Sequence, residues 1–186
     1  LDKLDIQLKE LEDWNCCGAT SASKTDDFLS VAMPARNLGL AAQTGLKELL
    51  IPCSACYART LVAQQYLQTH SELKETINSE LTHKIDLDIK ISSILEILLQ
   101  LVDSKDLEQK ISYQPQDLKP VCYYGCLMTR FPCEVAVPED IENPAGMERI
   151  LKVLGLSAID WNYKTNCCGA SAAVTDPRTA FKLMGR

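Results

Sequence analysis

The tetrad Asn-Cys-Cys-Gly occurs twice, at Asn15 to Gly18 and at Asn166 to Gly169, each time shortly after an Asp-Trp-Asn (Asp13 to Asn15, Asp160 to Asn162). The likeness continues past the cysteines, as Ala19-Thr20-Ser21-Ala22 in one copy and Ala170-Ser171-Ala172-Ala173 in the other. Repetition at this level has to be explained before any single element is read. The offset from Cys16 to Cys167 is too long for a solenoid and suits two duplicated domains, each built around its own cysteines.

The bulk properties narrow the chemistry. A chain of 186 residues, 46% of them hydrophobic, can bury a core in each repeat. Nine cysteines without a charged, apolar and small-residue leader pattern speak for metal in a reducing, cytoplasmic setting rather than a secreted disulfide framework. The longest apolar stretch, Ile94 to Val102, is broken by Glu96 and Gln100 and is far below the roughly 20 residues a bilayer crossing needs. A net charge of -6 and a pI near 5.0 argue against a nucleic-acid partner, because binding its phosphates needs a basic patch.

Along the chain, helix, short apolar run and cysteine-bearing loop alternate. The pattern predicts a helix over Pro34 to Thr44, with Pro34 in its first turn and Gly45 as its stop, then an apolar strand at Leu49-Leu50-Ile51. Pro52 and Cys53 open another helix, whose apolar positions Leu61, Val62, Tyr66 and Leu67 carry it to about Leu81. Ile85, Leu87, Ile89 and Ile91 alternate with polar residues, and Ile94 to Val102 reads as a core helix. In the second half Gly146 to Leu154 is helical, Gly155 stops it, and Ala158 to Trp161 reads as a strand. Such alternation implies an α/β fold with short parallel strands and cysteines at strand ends and helix starts, where sheets of this type bind ligands. The polar stretch Ser112 to Lys119 divides a first domain, residues 1–115 with its connecting segment, from a second, residues 116–186. Leu1 is not a methionine, residues 1–11 read as the tail of an element, and Arg186 falls inside a helix, so both domains are expected to be truncated.

The cysteines form two groups. Cys53 and Cys56 are three apart at a helix start, so their thiols face one way and the helix N-terminus favours thiolates. Adjacent Cys16 and Cys17 would strain a loop around one small ion. A multi-iron cluster accepts both, with Gly18 letting the backbone turn, whereas mononuclear zinc usually takes two separated knuckles. The doublet therefore favours an iron-sulfur cluster, with zinc or structural cysteines as alternatives. In the second half Lys119 to Cys126 reads as a strand ending in a Gly-Cys loop, and Cys126, Cys167 and Cys168 make three ligands. The spacing from Cys17 to Cys53, projected from Cys168, runs past Arg186. The first half in turn lacks a Gly-Cys strand end.

Asp-Trp-Asn-Cys-Cys-Gly-Ala-Thr (13–20), Pro-Cys-Ser-Ala-Cys-Tyr (52–57), Val-Cys-Tyr-Tyr-Gly-Cys-Leu (121–127), Glu-Asn-Pro (142–144) and Tyr-Lys-Thr-Asn-Cys-Cys-Gly-Ala-Ser (163–171) resemble the cysteine-rich CCG domain, most closely that of the heterodisulfide reductase B-subunit family. The resemblance implies that Cys16, Cys17, Cys53 and Cys56 hold one noncubane 4Fe-4S cluster and that Cys126, Cys167 and Cys168 belong to a second. It implies a catalytic subunit that reduces a disulfide, in methanogens that of coenzyme M and coenzyme B, in anaerobic metabolism. Electrons would come from a ferredoxin-like iron-sulfur subunit and a flavin subunit. Two adjacent one-electron clusters suit a two-electron cleavage. The alternatives are a CCG-domain electron-transfer subunit of a lactate, glycolate or succinate enzyme, and a zinc-stabilised interaction module.

The remaining chemistry-bearing residues have plainer roles. Cys122 and Cys133 read as buried structural cysteines, and Trp14 and Trp161 as core or cluster-shielding residues. Tyr123 and Tyr124 are expected to pack. Lys24, Arg59, Arg130 and Lys164 are solvated charges near ligands, with anion binding or tuning of a cluster as the functional option. His70 and His83 are expected at the surface.

Overall fold

The computed structural model describes residues 1–131, 140–173 and 175–185. Cys133 lies outside them. The chain forms two compact units, Leu1–Ile97 with Phe131–Val135, and Leu98–Arg130 with Ala136–Arg186.

The first unit is α/β. Helices α1 (Ala19–Thr25) and α2 (Asp27–Gln43) lead to strand β1 (Glu48–Leu50), helices α3 (Ser54–Thr69) and α4 (Ser71–Glu80), and strand β2 (Lys90–Ser92). β1 and β2 pair in parallel, with Leu49 opposite Ile91, and α3 and α4 form the crossover that parallel strands require. An ion pair between Lys90 and Glu48 (2.8 Å) spans the register, and the Gln64 side chain donates to the Leu87 and Ile89 carbonyls, fixing the approach to β2. Ala35, Leu38, Tyr57, Ala63, Leu67, Ile77, Ile89 and Ile91 fill the core.

Two helix boundaries differ from expectation. α2 begins seven residues before Pro34, because the Asp26 carboxylate accepts from the Phe28 (2.7 Å) and Leu29 (3.4 Å) amides and sets the N-terminus. Pro34 lies inside the helix; it removes one intrahelical bond, and burial of Pro34, Ala35, Leu38 and Ala41 holds the helix through it. The long helix expected after Cys53 is broken at His70. Its Nδ1 donates to the Tyr66 carbonyl (2.8 Å) while its ring stacks on Tyr66, so the side chain takes a helix-end carbonyl and α4 starts afresh. Helix α5 (Ile94–Asp103) follows, opened by a reciprocal cap in which Ser93 N donates to Glu96 and Glu96 N to Ser93 Oγ.

The second unit holds α6 (Asp106–Lys110), α7 (Gly146–Val153) and α8 (Pro177–Met184). Ala158 to Trp161 is not a regular strand among the described residues. Ile159 N reaches the Pro120 carbonyl (2.8 Å) and Tyr124 N reaches Lys164 (2.9 Å), as in a parallel pair. Between them the Trp161 indole N–H donates to the Cys122 carbonyl (2.6 Å), an acceptor that a ladder would leave to a backbone amide. The result is extended backbone pinned by a side chain. No described helix is long and apolar enough to cross a membrane.

Candidate metal centre

The sulfurs of Cys16, Cys17 and Cys56 lie within 4.8 Å of one another. Two elements bring them together. The Asn15–Cys17 loop is clamped onto α2, where the Asn37 side chain accepts from Asn15 N (3.0 Å) and donates to Asn15 O (2.7 Å), reproducing one rung of a ladder. Arg36 donates to the Asp13 carbonyl (2.6 Å) and the Asn15 side chain (3.0 Å) and pairs with the Asp13 carboxylate, while Asn15 Nδ2 reaches the Met33 carbonyl (3.0 Å). Gly18 then turns at a φ of 76°, and Gly169 takes 79° in the second copy. Both glycines press on helices: an added Cβ would lie 2.5 Å from Ala22 Cβ at Gly18 and 2.9 Å from Ala180 Cα at Gly169. The doublet needs glycine after it for two reasons, handedness and space.

The second element is the start of α3. Cys53 is its N-cap, where the amides of the first turn favour a thiolate. The Cys56 amide is the main influence, and it holds the Cys53 thiol below its usual range against the effect of burial. At Cys56 burial pushes the thiol up to about 12, with the Cys17 and Cys53 sulfurs adding like-charge repulsion. Cys17 is 1% exposed, Cys56 half-buried, and Cys16 and Cys53 open to solvent. Cys53 is not one of the three converging sulfurs, though it opens the same helix three residues before Cys56. These residues fit a metal centre. Thiols crowded so that one cannot ionise beside the others are relieved by a bound cation, and soft sulfur donors suit iron-sulfur or zinc.

In the second unit burial raises the Cys126 thiol, and the neighbouring Cys167 adds to it. The Tyr123 phenol is pushed up to about 12, by burial first and then by Cys168. Cys167 and Cys168 are exposed. Among the described residues these three sulfurs do not close to the spacing of the first group. The Cys126 carbonyl accepts from Thr129 (3.3 Å) and Arg130 (2.8 Å), so a tight turn follows the ligand.

Behind this group lies a charged network. Lys164 pairs with Glu148 (2.6 Å), the Tyr124 hydroxyl donates to Glu148 (2.6 Å), and Met147 N donates to the same hydroxyl (2.6 Å). Burial alone would raise the Glu148 carboxyl, but Lys164 and Tyr124 outweigh it and hold it below its ordinary value of 4.5. The folded-state value being the lower one, this contribution is present above pH 4.5 and is lost as the pH falls through the folded value. Glu148→Gln is therefore expected to lower stability by about 1–2 kcal/mol at neutral pH and by much less in strong acid, as read from melting curves across pH.

The neighbours sort unevenly. Cys122 is buried beside Glu148. Trp161 is half-buried between Tyr123 and Tyr163, but its counterpart Trp14 is 57% exposed and keeps only an indole bond to Glu10, so Trp14 is not a core residue. Arg59 donates to Ser23 (3.1 Å), Lys164 is tied to Glu148, and Lys24 and Arg130 are exposed. His70 is exposed and His83 half-buried. Sequence reasoning missed the clamp, although Arg36-Asn37 is a polar pair in the otherwise apolar run from Val31 to Ala42. Asn37→Ala leaves the Asn15 amide and carbonyl unpaired. It should cost about 1–3 kcal/mol in denaturation and weaken metal binding about 10- to 100-fold in a chelator competition.

A family model for the cysteine-rich CCG domain matches residues 1–59 and 121–186, covering both groups. The chain is 32% identical over 183 residues to the 8-methylmenaquinol:fumarate reductase membrane anchor subunit of Wolinella succinogenes, covering 97% of this chain and 62% of that protein. It is 27% identical to a protein of Archaeoglobus profundus named as like the heterodisulfide reductase B subunit, over 97% of this chain and 62% of that protein. It is 25% identical to the B subunit of the ferredoxin:CoB-CoM heterodisulfide reductase of Methanosarcina acetivorans, over 90% of this chain and 57% of that protein. The chain thus spans about three fifths of the length of these curated relatives. With both Asn-Cys-Cys-Gly copies inside the matched segments, the chain belongs to the cysteine-rich CCG domain family.

Proposed function

We propose that this chain is the cluster-bearing part of an iron-sulfur oxidoreductase subunit that works in a multisubunit reductase and reduces a disulfide to two thiols. The observation that supports it most is the convergence of Cys16, Cys17 and Cys56 beside Cys53 in a chain that repeats the Asn-Cys-Cys-Gly motif. The first CCG domain, taken as residues 1–115, uses Cys16, Cys17, Cys53 and Cys56. The second, residues 116–186, uses Cys126, Cys167 and Cys168. Each set is assigned to a noncubane 4Fe-4S cluster, which when bound supplies one-electron redox chemistry at sulfur-binding iron. No side chain beyond these ligands is assigned a catalytic role.

The protein's own part is to hold and to shield. Asn37 and Arg36 fix the doublet, the buried Cys17 side keeps water from one flank, and exposed Cys16 and Cys53 leave the other open to a small molecule. The Lys164–Glu148 ion pair adds no net charge behind the second group. The overall change is one disulfide, two electrons and two protons to two thiols, which balances if each cluster passes one electron. A ferredoxin-like subunit, fed by a flavin subunit, is the proposed electron source. The reducing chemistry suits the cytoplasm.

A second reading is an electron-transfer role in another oxidoreductase, favoured by the relative with the higher identity, named as a subunit of a fumarate reductase. Disulfide-dependent oxidation of reduced viologen by the full-length protein, loaded with iron and sulfide, separates the two. Turnover supports disulfide reduction. A loaded protein that passes electrons without consuming disulfide supports the second reading.

A further inference from the structure

The two copies of the cysteine loop are held by different donors at the same point. In the first, the carbonyl of the asparagine before the doublet, Asn15, accepts from Asn37 Nδ2 (2.7 Å) on α2. In the second, the equivalent carbonyl of Asn166 accepts from the Tyr123 hydroxyl (2.7 Å), three residues before Cys126. The Asn166 amide, unlike that of Asn15, turns back to Tyr163 (3.2 Å). Gly125 lets the chain pass close beneath the phenol: at its φ of 68° an added Cβ would lie 3.3 Å from both Tyr123 Cε1 and its hydroxyl. The Tyr123 ring meets Trp161 edge-on at 6.1 Å yet remains 40% exposed. Burial therefore does not account for its orientation, and its polar contacts do.

We propose that Tyr123 is a positioning residue of the second cysteine group, tying the Asn166–Cys168 loop to the Gly125–Cys126 turn through its hydroxyl. One extended segment then carries both a ligand, Cys126, and the tether for the two others. In the first unit tether and ligands sit on separate elements, so the two centres are supported differently. The hydroxyl is thereby held at the residue that precedes the Cys167–Cys168 doublet. A phenol beside a metal-bound sulfur tunes that centre and not the other.

Tyr123→Phe keeps the ring and removes the tether. In the reduced, metal-free chain, exchange of the Asn166 amide, bonded to Tyr163, should rise roughly 3- to 10-fold, the loss of one ordinary hydrogen bond, while the Asn15 amide, held by Asn37, keeps its rate. Asn37→Ala should do the reverse. Gly125→Ala, which crowds the phenol but keeps its hydroxyl, should loosen the same second loop and is the alternative should the phenylalanine variant not fold. After loading with iron and sulfide, Tyr123→Phe should change the paramagnetic resonance signal of one centre only. Unchanged exchange at Asn166, or an equal rise at Asn166 and Asn15, overturns the proposal. This last readout rests on the cluster reading above, but the exchange experiment does not, so failure to take up iron leaves the tether decided on its own.

Discussion

Cys17→Ser is expected to remove the iron and sulfide bound by the first unit while leaving a folded chain. Cys17 is the most buried of the three converging sulfurs, at 1% exposure, and sits within 4.8 Å of both others. A serine there offers a hydroxyl that does not ionise near neutral pH, so the donor set loses its innermost thiolate. The buried hydroxyl costs about 1–3 kcal/mol, small enough to keep the fold. Cys122→Ser is the matching control, since Cys122 is also buried but lies outside the converging group. It should lower the melting temperature similarly and leave the iron content unchanged. Metal analysis and thermal melting of both variants check the pair, and wild-type iron in Cys17→Ser contradicts the assignment.

Gly18→Ala should cost about 2–4 kcal/mol and weaken metal binding with it. Two effects add. An L-residue at a φ of 76° is strained, and its Cβ would stand 2.5 Å from Ala22 Cβ and 3.0 Å from Met33 Sδ. Met33 can swing away, but Ala22 is fixed on α1, so the loop carrying Cys16 and Cys17 must move instead. Gly45→Ala separates the effects, because Gly45 has a similar φ of 71° and nothing within 4 Å of the added atom. That variant should lose only about 1–2 kcal/mol. Equal losses in the two variants, measured by chemical denaturation, would show that the close packing at Gly18 has no energetic weight.

Local chemistry made the cysteine groups, the glycine after each doublet and the amphipathic helices legible from residue order. Cys53 and Cys56 do open a helix, and Leu49-Leu50 does form a short parallel strand. Features that depend on partners distant in sequence were not legible. Pro34 sits inside α2 because Asp26 caps eight residues earlier and burial outweighs one lost bond. His70 interrupts a helical pattern because its ring folds back on Tyr66. The residues expected as a strand at Ala158 to Trp161 are diverted by one indole N–H. Trp14 and Trp161 occupy equivalent places in the repeat and differ in burial because only Trp161 finds a carbonyl and two tyrosines. The Asn37 clamp joins residues 22 apart in sequence, and no local signal specifies which polar helix residue will turn to face the loop.

Iron, acid-labile sulfide and zinc, measured per chain after strictly anaerobic reconstitution together with the paramagnetic resonance of the oxidised sample, test the central claim most directly. The account predicts about four irons with matching sulfide for each cysteine group, about eight per chain, and a signal that changes when thiol is added. About one zinc and no sulfide would contradict it, leaving a structural module in place of a redox centre.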